Sequence, residues 1–155
     1  MNRILAAMLV VFAVCAPVLS QSSPSVVIAD IAAKIKSKDV VQIEVLYMDP
    51  NILTLVRVTP EDLKKRFEYK VLLTSASGRS LPESLMKSLE NTRVTESKGG
   101  ADVRWGVIFE RRDGSPVGEI YFDKWGKRGA VNGSTVSFEN VELFKWLSER
   151  GHWMR

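Results

Sequence analysis

The sequence predicts an α+β domain: a single, mostly antiparallel sheet with helices packed chiefly on one face. Three observations carry this expectation. Seven short stretches alternate or concentrate apolar residues as strands do, among four segments with apolar residues at helical spacing. The later strands are joined by turns too short for a parallel crossover. Between the last two lies Asn132-Gly133, the strongest local hairpin signal, because a type I′ turn needs positive φ at both positions.

The elements follow in chain order. Residues 1–20 read as an export signal: Arg3 is their only charge, Ile4 to Val18 is almost wholly apolar, and Val18-Leu19-Ser20 offers small or modest residues before a cut at Gln21. The apolar run is shorter than the about 20 residues a spanning helix needs, so membrane attachment is expected only if this segment is retained. Cys15 follows Val14 where a lipoprotein signal wants a small residue, and reads as one more apolar side chain of the leader. Residues 21–25 are expected to be a disordered, polar leader, and residues 26–155 a single domain. From Val26 to Lys36, the spacing of Val27, Ile28, Ile31, Ala32 and Ile35 predicts an amphipathic helix.

Val40 to Met48 predicts a strand with Val41, Ile43, Val45 and Tyr47 on one face and Gln42, Glu44, Leu46 and Met48 on the other. After the Asp49-Pro50-Asn51 turn, Ile52 to Val58 reads as a second extended run. Thr59 and Pro60, with acids behind them, are the cap and first residue of a short helix that turns Leu63 and Phe67 inward. Glu68 to Thr74 alternates again. Ser80 and Glu83 have capping-box spacing before a helix burying Leu81, Leu85, Met86 and Leu89. Thr92 to Gly100 is polar and reads as a mobile loop. The remainder is a meander, Val103–Arg111, Val117–Asp123, Ala130–Val131 and Ser134–Phe138. Asn140 then caps a closing helix, Val141–Arg150, with Val141, Phe144, Leu147 and Leu143 as its candidate core.

Composition narrows the chemistry. The chain has one cysteine, in the leader, so the processed domain has neither disulfide nor thiolate, and at this size a core of apolar residues suffices without staples. The only histidine, His152, lies near the terminus, which leaves neither a zinc site nor a histidine base held in geometry; no metal and no cofactor are expected. No G-x-S-x-G elbow, Walker loop or calcium loop is present. Net charge is +4, but bases alternate with acids, as in Glu61-Asp62-Leu63-Lys64-Lys65-Arg66, and no nucleic-acid partner is expected.

The most suggestive stretch is Asp123-Lys124-Trp125-Gly126-Lys127-Arg128, which places an aromatic among three cations at a strand-to-strand loop. Tryptophan and arginine dominate interface energetics, so Asp123, Lys124, Trp125, Lys127 and Arg128 are the candidate binding residues. The bland alternative is that Trp125 folds back over the sheet. Trp105 and Trp146 fall in strand and helix patterns and read as core.

The size, export signal, absence of cysteine and strand-rich second half resemble small envelope proteins that bind another protein, such as inhibitors and immunity proteins; the resemblance is one of architecture and carries no residue over. The expectation is a periplasmic or secreted protein-binding module, not an enzyme, whose partner is another envelope or exported protein. Two alternatives stand beside it. One is a small hydrolase using carboxylates such as Glu110 and Glu119, which needs both acids across one cleft. The other is a carrier of a small apolar ligand, which needs a cavity between sheet and helices.

Overall fold

The alternating runs pair into one seven-stranded sheet in this computed structural model, which describes residues 22–75 and 81–150. The expected export signal, Cys15, Ser80 of the expected capping box and His152 lie outside those residues. The strands are β1 (Gln42–Tyr47), β2 (Tyr69–Thr74), β3 (Val94–Glu96), β4 (Val103–Glu110), β5 (Pro116–Asp123), β6 (Arg128–Val131) and β7 (Ser134–Phe138). Their order across the sheet is β2-β1-β4-β5-β6-β7-β3, and every neighbouring pair is antiparallel. The helices are α1 (Pro24–Lys36), α2 (Pro60–Arg66), α3 (Glu83–Asn91) and α4 (Glu142–Arg150). The protein therefore has the expected α+β fold.

Strand pleating divides the apolar residues between two layers. Ile43 and Val45 of β1, Trp105, Val107 and Phe109 of β4, Ile120 and Phe122 of β5, Val131, Val136 and Phe138 face α1, α3 and α4 in the larger core. Leu46, Ile108, Tyr121 and Ala130 face the other way, where Leu63 of α2 closes a smaller core. Helices thus lie chiefly, though not wholly, on one face. A row of aromatic rings crosses the larger core: Tyr69–Tyr47, Tyr47–Trp105, Trp105–Phe144, Phe144–Phe122 and Phe122–Phe138, with centroids 4.4–6.1 Å apart. Trp105 and Trp146 are buried, as their patterns predicted.

Gly118 and Gly129 both permit close approach. A Cβ on Gly118 would stand 2.6 Å from Ile31 Cδ1, so α1 lies directly against β5 there. A Cβ on Gly129 would stand 1.7 Å from the carbonyl oxygen of Tyr121. The Asn132-Gly133 turn has the expected backbone, with φ of 45° and 82°. The Asn132 Oδ1 also accepts from the Glu119 N–H at 2.8 Å, locking the hairpin to β5.

Several expectations change. The Ile52–Val58 run is not a strand; only Val58 in it is buried, and the segment is an irregular loop. The sheet's remaining strand comes instead from the polar stretch after Thr92, where β3 pairs with β7. Pro24 and Ser25, placed with the leader on sequence, form the first turn of α1. A register shift between Val103 and Trp105 turns Val103 to the smaller core, opposite to simple alternation. Phe67 ends α2 and is 36% exposed rather than inward. In α4 the buried residues are Leu143, Trp146 and Leu147, a slight rotation of the expected face. The side chain of Asn140 reaches back to the Asn91 carbonyl at the end of α3.

The start of α2 matches its sequence signature. The Thr59 Oγ1 accepts from the Asp62 N–H at 3.2 Å while Asp62 accepts from the Thr59 N–H, a reciprocal capping box. The hydrogen bonds from Thr59, with Arg66 and Lys65 nearby, hold the Asp62 carboxyl below its ordinary pKa. A carboxyl depressed in this way stabilises the fold above its unfolded pKa, and that contribution disappears as pH falls through the folded value. Thr59→Ala should cost about 1 kcal/mol by urea unfolding. It should also return the Asp62 pKa toward its ordinary value in an NMR titration.

Candidate functional site

The suggestive stretch forms the β5–β6 turn, and its geometry is set from below. Asp123 is buried, 8% exposed, and its Oδ1 accepts from the Trp125 N–H at 3.1 Å and the Lys127 N–H at 2.9 Å. Gly126, at φ 70°, supplies the left-handed residue the turn requires. It also leaves room for the ring of Phe144, which a Cβ there would meet at 2.2 Å. Beyond the turn, the Phe138 N–H donates to the Lys127 carbonyl at 2.9 Å. The Arg128 guanidinium donates to the carbonyls of Lys98 and Gly99, at 3.3 and 3.0 Å.

The five sequence-selected residues therefore come together but divide into two roles. Asp123 and Arg128 fix backbone. Lys124, Trp125 and Lys127 face outward. Trp125 is 62% exposed, so it does not fold back over the sheet. Its ring is covered on one side by the Lys124 ammonium, 4.2 Å from the centroid, a cation–π contact that orients the indole in water.

A second feature was not anticipated as a site. In the loop after β1, Ile52, Leu53, Leu55 and Val56 are 40%, 99%, 106% and 70% exposed. A buried charged residue lies beneath them. Arg104, on β4, is only 5% exposed and donates through Nε and Nη2 to the Asp102 Oδ2, at 3.1 and 2.8 Å. Its remaining donors reach the Ile52 carbonyl and Thr54 Oγ1, both at 3.4 Å. Asp102 in turn accepts from the Val58 N–H at 2.8 Å. A charged pair thus anchors an apolar loop by its backbone.

The loop and the turn share one end of the sheet. β1 ends and β4 begins beneath the loop; β5 ends and β6 begins beneath the turn. Only β4 lies between β1 and β5, so about 10 Å of sheet separates the two bases.

The acids considered for hydrolysis lie on the smaller-core side of the sheet. Glu110 accepts from Gln42 Nε2 at 2.6 Å. Glu119 accepts from Lys64 at 2.7 Å and from the Tyr121 hydroxyl at 2.9 Å. Burial, reinforced by Glu119, pushes the Tyr121 phenol far above its ordinary pKa, so it stays a hydrogen-bond donor. Ile108, not Glu110, is the residue opposite Glu119. Between the sheet and α1, α3 and α4, the space is taken up by side chains with no exposure, among them Ile31, Leu85, Leu89, Val107, Phe109 and Ile120.

Among the described residues, three surface grooves have volumes of about 540, 440 and 420 Å³. The first lies between the start of α1 and the Val117 and Asn132 side of the sheet, the second between α1 and the end of α3. The third runs under the apolar loop, between Leu53, Leu55 and Val56 and the cations Arg57 and Arg66. None of the three is lined by Trp125, Glu110 or Glu119. Among the described residues, no group of three His, Cys, Asp or Glu could hold a metal ion, and no helix is long and apolar enough to cross a membrane.

Comparison with known proteins finds no family model, no curated sequence and no solved structure that matches this chain. Function is therefore to be read from the site itself.

Proposed function

We propose that this domain is a protein-binding module that works after export, of the inhibitor, immunity or envelope-complex kind, with the β5–β6 turn as its contact. The observation that carries this reading is Trp125: 62% exposed, on a turn whose backbone is fixed by buried Asp123. A preorganised indole gives large contact area at little conformational cost, which is why tryptophan recurs at interface hot spots. Lys124 and Lys127 beside it favour an acidic surface on the partner and raise the rate of encounter through steering.

Trp125→Ala separates a contact role from a structural one. Its stability should stay within about 0.5 kcal/mol of wild type, as for an exposed side chain away from the core. A photo-crosslinking residue at Lys124 should give a discrete protein adduct in intact cells, and Trp125→Ala should abolish it. No adduct in the envelope or medium, or an adduct indifferent to Trp125, would remove the turn from consideration. Fractionation tests the compartment: mature protein beginning at Gln21 in the periplasm or medium supports export, and intact Met1 in the cytosol contradicts it.

A further inference from the structure

We propose that the Ile52–Val56 loop is an insertion device that seats the domain on an anionic lipid surface. The inference does not depend on the protein-binding reading, because its apolar residues lie on a different loop from Trp125.

The loop combines three properties. Its side chains are apolar and unusually free: Leu53 and Leu55 are as accessible as in an extended chain, at 99% and 106%, with Val56 at 70% beside them. Single exposed aliphatic residues are ordinary on a protein surface; a contiguous group at a loop tip is not. Its backbone is nonetheless tethered. The Asn51 N–H donates to Asp49 Oδ1 at 2.8 Å, the Ile52 N–H to the Asp49 carbonyl at 3.1 Å, and the Val103 N–H to the Val58 carbonyl at 3.0 Å. Arg104 and Asp102 hold the interior of the loop through Ile52, Thr54 and Val58. The tip can therefore enter an apolar phase while its base stays hydrogen-bonded to the domain.

Charge selects the occupant. Arg57 and Arg66 line the groove beside Leu53, Leu55 and Val56. From Arg57 to Arg66 the cations are Arg57, Lys64, Lys65 and Arg66, of which Lys64 is paired with Glu119; of the acids Glu61 and Asp62, Asp62 caps Thr59 and also lines the groove. Lys124 and Lys127 stand at the same end of the sheet. Aliphatic tips with Arg57 and Arg66 beside them and the turn lysines at the same end of the sheet match a bilayer boundary, where hydrocarbon lies beneath anionic phosphodiesters. Side chains standing clear of the domain's own surface need no shaped recess in lipid, whereas a protein partner would have to supply one for each.

The test uses the processed chain from Gln21, which has no cysteine of its own, with Leu53→Cys carrying a nitrobenzoxadiazole label, and vesicles of phosphatidylcholine with or without phosphatidylglycerol. On anionic vesicles the label should shift to the blue and be quenched by nitroxide lipids. The response should be absent on phosphatidylcholine alone and weaken as salt screens the headgroups. In the unlabelled chain, Leu53→Ser with Leu55→Ser should lower partition about a hundredfold, a factor near ten for each leucine kept from hydrocarbon, with an unchanged melting temperature. Three results would overturn the proposal. The label could stay in water while the protein pellets with vesicles. The double variant could partition like wild type. The blue shift could develop with protein concentration alone, which would assign the loop to a second copy of the chain.

Discussion

Gly129→Ala is expected to destabilise the domain severely. The added methyl would stand 1.7 Å from the carbonyl oxygen of Tyr121 and 3.1 Å from the ring of Phe138. The first contact is with backbone, in the centre of the β5–β6 pairing, where Phe122 opposes Gly129 and Tyr121 opposes Ala130. A flexible side chain can swing aside from such a contact. A carbonyl bound into a sheet can move only if its strand moves, and β5 is also paired to β4. The loss should exceed about 4 kcal/mol, the range reserved for strain or core disruption. Gly114 offers the contrast, since nothing lies within 4 Å of a Cβ there and only its φ of 78° opposes the change. Circular dichroism and urea unfolding of the alanine variants should rank Gly129 well above Gly114. Equal, small losses would show that the sheet yields at this point.

Phe122→Ala should cost about 3–5 kcal/mol, the usual range for a buried phenylalanine. Phe122 is 1% exposed and lies between the rings of Phe138, at 4.5 Å, and Phe144, at 5.8 Å. Its removal cuts Phe138 off from the rest of the aromatic row and leaves a void between β5, β7 and α4. For a domain of this length the melting temperature should fall by roughly 10–20 °C. Calorimetry checks the value. A fall of only a few degrees would mean that Phe144, which is half-buried, has moved into the void.

The parts of the fold that were legible in the sequence are those set by neighbours along the chain. The two faces of β1 and β2, the Thr59-Pro60 helix start and the Asn132-Gly133 turn all follow from local periodicity or backbone preference. The misread segments depend on distant partners. Ile52–Val58 has strand-like composition, yet its hydrogen-bonding groups are claimed by Arg104 and Asp102, some fifty residues away in sequence. Val94–Glu96 has little apolar content and is a strand only because β7 offers it an open edge. Val103 changes face because a register shift intervenes, which alternation alone does not reveal.

The candidate site divides in the same way. The gathering of Asp123, Trp125, Lys127 and Arg128 in one turn was legible from a strand end followed by Gly126. The outward position of Trp125 was not. It depends on α4, a later element, whose Phe144 occupies the space against Gly126. The exposed aliphatic loop was hidden by its own composition, because an apolar run reads as buried until the positions around it are known.

The placement of β1 has a consequence for how the molecule assembles. β4, β5, β6 and β7 are joined by short turns, so each can zip to its predecessor at a small cost in loop closure. β1 instead sits between β2 and β4, and its Gln42 meets Glu110 across a separation of 68 residues. It completes the sheet only once the meander offers an edge to receive it. The nucleus should accordingly form in the second half of the chain, with the amino-terminal strand as a late arrival. The interval before its arrival leaves the inner edge of β4 bare, and that is when two such chains are most exposed to pairing with one another.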